Sequence, residues 1–316
     1  MRNTQFSSSF RASLGTALCI VAAACGGGGD GGDTGTVSLS VTDAPVDEAS
    51  SVVIQFSGVA FKREGSAPEM VENLTPSPRQ IDLLQYQQGR AAILLNDVVL
   101  TAGRYEWLRL IVDNEPNVRD SYVTLDSGAE CELRVPSGAE SGLKLNRGFT
   151  LPADGSVALT VDVDLRQSLH APPGQRGSGI DCTQAFLWRP TLRLVDDANV
   201  GAIAGRVDAA LVTMDCVPSV YVFAGADVLP DDVEEMSAST PDVDPLVVAT
   251  VNVLNGATQY DYRAAFIPAG TYTVAFSCGD DDPASDDPLT FSPTQNATVQ
   301  PNLITTIDFA APPPGG

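Results

Sequence analysis

The sequence predicts a mainly β protein made of two β-sandwich-like domains. Apolar and polar residues alternate with a period of two in several stretches, most clearly over 157–165, as in half-buried strands. Gly and Pro number 28 and 22 among 316 residues and separate these stretches with turns. Several short strands at such spacing favour sandwiches. The roughly 290 residues that follow the N-terminal leader are enough for about two domains.

Residues 1–24 predict a secretion signal. They carry Arg2 and Arg11 but no acidic residue, and an apolar run over 17–24 ends in three alanines. A positive n-region, a short apolar core and small residues before the cleavage point are the parts of such a signal. The apolar run is too short to span a bilayer stably.

Cys25 directly follows these alanines and precedes a glycine run. In this position it resembles the acylated cysteine of bacterial lipoproteins, which implies a lipid anchor at Cys25 and the bilayer as a partner. Gly26 stands where an aspartate would retain such a protein at the inner membrane, so the resemblance implies the outer membrane. The alternative is an ordinary signal cleaved nearby, with Cys25 unmodified. Residues 25–35 are predicted to form a flexible tether.

The first domain is predicted over residues 36–197. Its expected strands are 36–42, 52–61, 80–84, 105–113, 122–125, 132–135, 157–165, 185–187 and 191–195. The apolar run 91–100 fits a strand or a buried helix. Large apolar residues on both faces of 105–113 predict a central strand that is covered on both sides.

The second domain is predicted over residues 200–311. Its expected strands are 201–207, 219–223, 246–253, 260–266, 271–276 and 305–309, and the acidic stretches 231–235 and 280–287 lie in loops between them. The segments 100–105 (LTAGRY) and 267–272 (IPAGTY) share a turn glycine before a strand that begins with tyrosine. This echo indicates either related topologies or simply the same turn chemistry.

Several segments carry a family resemblance. In chain order they are 41–45 (VTDAP), 81–84 (IDLL), 102–105 (AGRY), 108–110 (LRL), 141–145 (SGLKL) and 161–164 (VDVD). Residues 35–195 therefore resemble an uncharacterised family of bacterial exported proteins, the domain of unknown function 4382, which has no established activity. The segments 203–207 (IAGRV) and 268–274 (PAGTYTV) are similar to carboxypeptidase-regulatory or transthyretin-like sandwiches. That likeness implies a spacer or a carbohydrate-binding-like fold, and a fold alone does not determine function.

Four cysteines follow Cys25, namely Cys131, Cys182, Cys216 and Cys278. An exported chain folds in an oxidising compartment, so two disulfides are expected. Three pairings are open to four cysteines. The pairs 131–182 and 216–278 are favoured because each closes a loop within one predicted domain. A zinc site is the alternative, although no C-x-x-C spacing supports it.

The formal net charge is −22, and removal of residues 1–24 takes away two arginines and no acid, which leaves −24. Such a charge repels nucleic acid and anionic membrane surfaces, so nucleic acid is excluded as a partner. An envelope protein or a glycan remains as the expected partner.

The residue pattern predicts that the protein is not an enzyme. His170 is the only histidine and precedes a Pro-Pro-Gly loop, and no G-x-S-x-G segment occurs. Asp162 and Asp164 share one strand face, roughly 6–7 Å apart, and could bind calcium or act on a glycoside. Pairing with an arginine or a solvated strand face is the favoured alternative. Asp43, at the end of the first strand, is a further candidate ligand, with turn capping as its alternative role.

Asp280, Asp281 and Asp282 belong to the densest acidic loop and are candidate cation ligands, although the spacing matches no EF-hand. A solvated loop is the more usual role of such a run. Calcium is thus the one candidate cofactor, and otherwise none is expected. Trp107, Trp188, Tyr260 and Tyr262 are candidates for stacking on sugars, with Tyr260 and Tyr262 on one strand face. For Trp107 a position in the core is favoured instead.

Together these features predict an anchored, non-enzymatic binding or structural module of the cell envelope. The alternatives are a calcium-dependent or carbohydrate-binding adhesion module and a carboxylate-dependent enzyme that acts on glycans.

Overall fold

The computed structural model describes residues 33–44, 49–71, 74, 76–113, 115, 118–135, 143–172, 175, 180–213, 216–233, 243–282 and 287–311. The predicted signal, Cys25 and most of the tether lie outside these ranges. The structure is 57% strand and 5% helix, which confirms the mainly β prediction. None of the helices in the described ranges has the length and apolar character needed to cross a membrane.

The first half of the chain, residues 33–196, forms two sheets. Its strands are β1 (Thr34–Ala44), β2 (Ala49–Arg63), β3 (Glu69–Val71), β4 (Arg79–Asp82), β5 (Ala92–Thr101), β6 (Gly103–Val112), β7 (Tyr122–Leu125), β8 (Glu130–Arg134), β9 (Leu143–Leu145), β10 (Phe149–Leu151), β11 (Ser156–Asp164), β12 (Leu169–His170), β13 (Phe186–Trp188) and β14 (Thr191–Asp196). One sheet has the order β14-β11-β1-β5, in which β1 and β11 are parallel. The other follows the path β10-β6-β2-β7-β8-β13-β12, with β3 and β4 on β2 and β9 on β6. A single-turn helix, α1 (Leu165–Ser168), follows β11.

Alternate residues of both sheets meet in one core. Val37, Leu39 and Val41 of β1 are fully buried there, as their period of two predicts. In the same core, the rings of Tyr105 and Phe149 stack with their centroids 4.9 Å apart. Burial of these apolar side chains is the main stabilising contribution in this half.

Three local predictions for the first half are settled by the structure. The ambiguous run 91–100 is a strand, β5. The strand predicted over 80–84 ends at Asp82, whose side chain caps a short 3-10 turn. The prediction that 105–113 is covered on both sides is wrong, because only one face of β6 is fully buried. On the other face, cationic groups of Lys144 and Arg109 lie 4.8 and 5.8 Å from the centre of the Trp107 ring.

The second half, residues 200–311, forms a separate seven-stranded sheet. Its strands are β15 (Val200–Asp208), β16 (Pro218–Ala224), β17 (Val247–Asn252), β18 (Gln259–Pro268), β19 (Gly270–Cys278), β20 (Gln295–Val299) and β21 (Ile304–Thr306), in the order β20-β19-β16-β17-β18-β15-β21. Side chains from six of these strands, β15 to β20, pack into one cluster, and a smaller cluster forms around Tyr221 and Phe223. Gly205 allows a close backbone approach, since a Cβ atom there would lie 1.7 Å from the carbonyl oxygen of Ile307.

Two of these strands differ from the prediction. β20 was not expected, and the strand predicted at 305–309 is shorter, with Phe309 making an isolated bridge to Val207. No strand pairing among the described residues joins the two halves. The described residues from Asp33 onward nevertheless form one compact unit. The division into domains 36–197 and 200–311 therefore stays a prediction.

Each half contains one internal disulfide. Cys131 pairs with Cys182 at a Cα separation of 4.6 Å, and Cys216 pairs with Cys278 at 5.2 Å. This is the pairing that the sequence favoured. Each bond closes a long loop, which restricts the unfolded chain.

Tyr105 and Tyr272, from the two similar segments 100–105 and 267–272, have the same local geometry. The hydroxyl of Tyr105 donates to the carbonyl of Thr101 at 2.8 Å, and that of Tyr272 donates to the carbonyl of Pro268 at 2.7 Å. In both places the chain passes between two strands that are not paired with each other, from β5 to β6 and from β18 to β19. The arrangement is like the tyrosine corner of Greek-key sandwiches.

Candidate functional site

Strand register decides where the predicted strand carboxylates lie. β1 pairs with β11 so that Thr42 stands beside Asp162 and Asp43 stands beside Val163. Paired residues share a face of the sheet, so Asp43 lies on the face of Val163, whereas Asp162 and Asp164 lie on the opposite one. The three acids therefore come to one end of the sheet without forming a shared cluster.

Asp162 is held by an arginine. It stands directly opposite Arg193 of β14, whose Nε donates to Asp162 Oδ2 at 3.2 Å and whose terminal nitrogen donates to the same oxygen. Burial raises the pKa of Asp162, and the positive charge of Arg193 opposes that shift. An ion pair of this kind is the role favoured over catalysis or metal binding in the sequence analysis.

Asp164 serves as a helix cap. It is the N-cap of α1, and its Oδ1 accepts a hydrogen bond from the backbone N–H of Gln167 at 3.1 Å. Burial raises its pKa, and the hydrogen bond from Gln167 partly opposes this. The side chain satisfies an amide of the first helical turn, as N-cap residues do.

Asp43 is a buried acid within β1. It is 6% exposed, and Gln87 Nε2 donates to its Oδ2 at 3.4 Å. Burial raises its pKa well above the ordinary value, with further contributions from the charges of Asp164 and Asp162. Ionisation of Asp43 in the folded protein therefore costs free energy.

A carboxylate cluster lies elsewhere, in the second half of the chain. Asp232, Asp281 and Asp287 each place one carboxylate oxygen within 4.8 Å of the other two. They are the only such group of His, Cys, Asp or Glu among the residues described above. Of the loop residues predicted as ligands, Asp281 is part of this cluster, whereas Asp280 is exposed and Asp282 contributes its backbone N–H, which donates to Asp287 Oδ2 at 2.7 Å.

Asp281 connects the cluster to the first half of the chain. Its Oδ2 accepts hydrogen bonds from the guanidinium of Arg166 in α1 at 3.2 Å and from the hydroxyl of Tyr221 at 2.7 Å. Its Oδ1 accepts from the backbone N–H of Val233 at 3.2 Å. Burial raises the pKa of Asp281, and the Tyr221 hydroxyl and Arg166 oppose the shift.

Asp232 is the most enclosed member of the cluster, at 1% exposure. Its Oδ2 accepts a hydrogen bond from the backbone N–H of Asp287 at 2.5 Å, but no described group donates to its Oδ1. Burial raises the pKa of Asp232 to about 6. The sequence pattern predicts 231–235 as a loop without a ligand role and so misses Asp232. No local pattern links this stretch with the acidic loop 280–287, which lies some fifty residues further along the chain.

The predicted aromatic platform is wrong. Tyr262 is 3% exposed and donates its hydroxyl to the carbonyl of Ile307 at 2.7 Å, so it faces the core, and Tyr260 packs partly buried against the same core cluster. Trp188 is fully buried, and Trp107 is half-buried beneath its cationic neighbours. A buried aromatic ring cannot stack on a sugar.

The first half of the chain has a family counterpart. Residues 34–180 match the family described as a domain of unknown function, DUF4382. This match confirms the family resemblance of the first half, and the family's description states no activity. The transthyretin-like resemblance of the second half stays a prediction. No curated protein matches the chain.

Several solved structures match the chain at low identity. They include a leucine-rich repeat protein from Bacteroides thetaiotaomicron, with 12% identity, a TM-score of 0.21 and coverage of 88% of this chain and 27% of that one. The Bacillus anthracis TIE protein matches with 9% identity, a TM-score of 0.19 and coverage of 88% and 33%. The minor pilin GBS52 of Streptococcus agalactiae matches with 9% identity, a TM-score of 0.18 and coverage of 88% and 98%. The chain thus spans about a quarter to a third of the first two proteins, and TM-scores this low carry no conclusion about function.

Proposed function

We propose that this protein is an exported, lipid-anchored and non-enzymatic binding or structural module of the cell envelope. The observation that carries the proposal is the pair of disulfides, Cys131–Cys182 and Cys216–Cys278. Structural disulfides form and persist in oxidising compartments outside the cytoplasm. They therefore support the export that residues 1–24 indicate.

The anchor is assigned to Cys25 on the sequence that surrounds it, with the outer membrane as its destination. A glycine-rich tether behind an acylated residue lets a folded body move away from the membrane surface. We propose that the partner of this body is an envelope protein or a glycan, since the formal charge of −24 after residue 24 disfavours nucleic acid.

The non-enzymatic part of the proposal is supported by the roles of the strand carboxylates. A glycosidase needs one carboxyl as an acid and a second as a base or nucleophile, both directed at the substrate. Here Asp162 is paired with Arg193, and Asp164 is turned toward the first turn of α1. These contacts are typical of residues that hold the fold together, and they do not direct the two carboxyl groups at a substrate.

Labelling with radioactive palmitate tests the anchor. We expect the wild-type chain and a Cys19→Ser variant to incorporate label and to sediment with outer membranes, and we expect Cys25→Ser to incorporate none. Cys19 is the matched control because it lies within the signal. An unlabelled wild-type chain, or label that persists in Cys25→Ser, would contradict the proposal.

A panel of glycan substrates tests the absence of enzymatic activity. We expect no turnover by the wild-type chain. Turnover that disappears in Asp162→Asn and survives in Asp126→Asn, a change in an exposed hairpin turn, would show that the strand carboxylates are catalytic.

A further inference from the structure

We propose that Asp232, Asp281 and Asp287 bind one calcium ion. The inference goes beyond the function proposed above and does not depend on the lipid anchor. It rests on the geometry of the three carboxylates, on an unsatisfied buried oxygen, and on the hydrogen bonds that orient the cluster.

The spacing of the oxygens suits a calcium ion. Calcium binds oxygen ligands at about 2.3–2.6 Å, so two ligands on opposite sides of the ion are about 4.6–5.2 Å apart. The three carboxylate oxygens lie within 4.8 Å of one another and can therefore surround a single ion. Oxygen ligands of this kind suit a hard cation, whereas structural zinc sites use cysteine and histidine.

Asp232 Oδ1 indicates that a ligand is required. The residue is 1% exposed, and no group in the described part of the chain donates a hydrogen bond to this oxygen. Buried polar atoms almost always have a partner, because a buried one without a partner loses its hydration and gains nothing. A cation bound among the three carboxylates would satisfy Oδ1.

The other oxygens are oriented in the way that metal ligands are. Backbone N–H groups donate to Asp232 Oδ2, to Asp281 Oδ1 and to Asp287 Oδ2. Hydrogen bonds from outside the coordination shell fix the direction of ligating carboxylates. Each carboxylate is thus held in place by a neutral backbone donor, and Asp281 is held in addition by Arg166 and Tyr221 at its Oδ2.

The charges are also complementary. Three ionised aspartates and the buried Arg166 carry a formal charge of −2, which a divalent cation neutralises. Like charges this close and this buried are unfavourable without such compensation. Asp287 is only half-buried, which leaves one side of the cluster toward solvent for the ion to enter and for water to complete its coordination.

The test is terbium binding to the full chain, with calcium as the competitor. Terbium replaces calcium at oxygen sites, and Tyr221, whose hydroxyl lies 2.7 Å from Asp281 Oδ2, is placed to sensitise its emission. We expect saturable emission that calcium displaces, with a calcium dissociation constant of about 10⁻⁴–10⁻³ M, the range of extracellular modules.

Two variants and a matched control assign the ligands. Asp232→Asn and Asp287→Asn should each weaken calcium binding by about tenfold or more. Asp280→Asn makes the same change of charge in the same loop, at an exposed position outside the cluster, and should leave binding within about twofold. Circular dichroism checks folding, and if Asp232→Asn does not fold, Asp287→Asn at the more exposed edge decides.

Three outcomes would overturn the proposal. The first is a wild-type chain that binds neither terbium nor calcium up to millimolar concentrations, which would mean that a proton neutralises the cluster. The second is equal weakening by Asp280→Asn and Asp232→Asn, which would mean diffuse attraction by the acidic loop. The third is undiminished binding in both cluster variants. None of these results bears on palmitate labelling, so the two proposals can fail separately.

Discussion

Arg166 and Asp281 form a buried ion pair between the two halves of the chain. The guanidinium lies 3.2 Å from Asp281 Oδ2, and the two side chains are 4% and 1% exposed. The residues are 115 positions apart, and the halves that they connect share no described strand pairing. Such a pair contributes little net stability when intact, because its desolvation is costly, but the loss of one partner leaves the other charge buried and uncompensated.

The first prediction concerns this ion pair. Arg166→Leu should lower the free energy of unfolding by about 3–5 kcal/mol, because Asp281 then stays buried without its cation. Urea denaturation with a calcium chelator present measures the change. Arg119→Leu is the control, since Arg119 pairs with Glu130 at 2.9 Å with side chains 59% and 47% exposed, and it should cost less than about 1 kcal/mol. Equal effects would show that the Arg166 pair is not buried in solution.

The second prediction concerns pH. Burial raises the pKa of Asp43, and its acidic neighbours Asp162 and Asp164 add to the effect, against the hydrogen bond from Gln87. A carboxyl with a raised folded-state pKa stabilises the fold below its unfolded pKa, which is 3.8. That contribution is lost as the pH rises through the folded pKa. Asp43→Asn should therefore raise the melting temperature at pH 7.5, and the gain should vanish near pH 4.

The control for this prediction is Asp126→Asn in the exposed turn between β7 and β8. It should change the melting temperature little at either pH. A melting temperature of Asp43→Asn that is lower than that of the wild type at pH 7.5 would show that Asp43 is stabilised in its ionised form.

The third prediction concerns the disulfides. The bonded cysteines are 51 and 62 residues apart, and loops of that length correspond to about 4 kcal/mol of stabilisation each through restriction of the unfolded chain. Replacing Cys131 and Cys182 together by serine should cost about that much in urea denaturation, and so should replacing Cys216 and Cys278. Reductant should destabilise the wild type but have no effect on a chain that lacks all four cysteines. Indifference of the wild type to reductant under denaturing conditions would mean that the bonds do not form.

The fourth prediction concerns the tyrosine corners. Tyr105→Phe and Tyr272→Phe each remove a hydroxyl that donates to the carbonyl four residues earlier. Each should cost about 1 kcal/mol, the net value of one such hydrogen bond. Tyr260→Phe, at a half-exposed position in β18, is the control and should be nearly neutral. A neutral effect of both corner variants would show that the hydroxyls are equally well satisfied by water.

Most strands could be predicted because their signal is local. The alternation of Val157, Leu159, Val161 and Val163 with small or polar residues indicates the buried face of β11 without any knowledge of its neighbours. The strand β20 was not predicted, because its residues Gln295–Val299 include only two with buried apolar side chains. Its backbone pairing with β19, which makes it a strand, does not show in the local sequence pattern.

The partners of the acids could not be predicted in the same way. Asp162 and Asp164 do share one strand face, but Arg193 reaches Asp162 only through the register between β11 and β14. Asp43 could be placed near the end of a strand, whereas its burial depends on how β1 packs within the first half.

The sequence by itself determined the strand segments and the turns, because alternation and turn chemistry are properties of neighbouring residues. It also favoured the observed cysteine pairing, because each pair lies within one predicted domain. Only the tertiary structure decided that Asp232 meets Asp281 and Asp287 and that Arg166 reaches Asp281 across the two halves. Those contacts join residues up to 115 positions apart. Burial and electrostatic pairing depend on what packs around each group, and no local pattern contains that information.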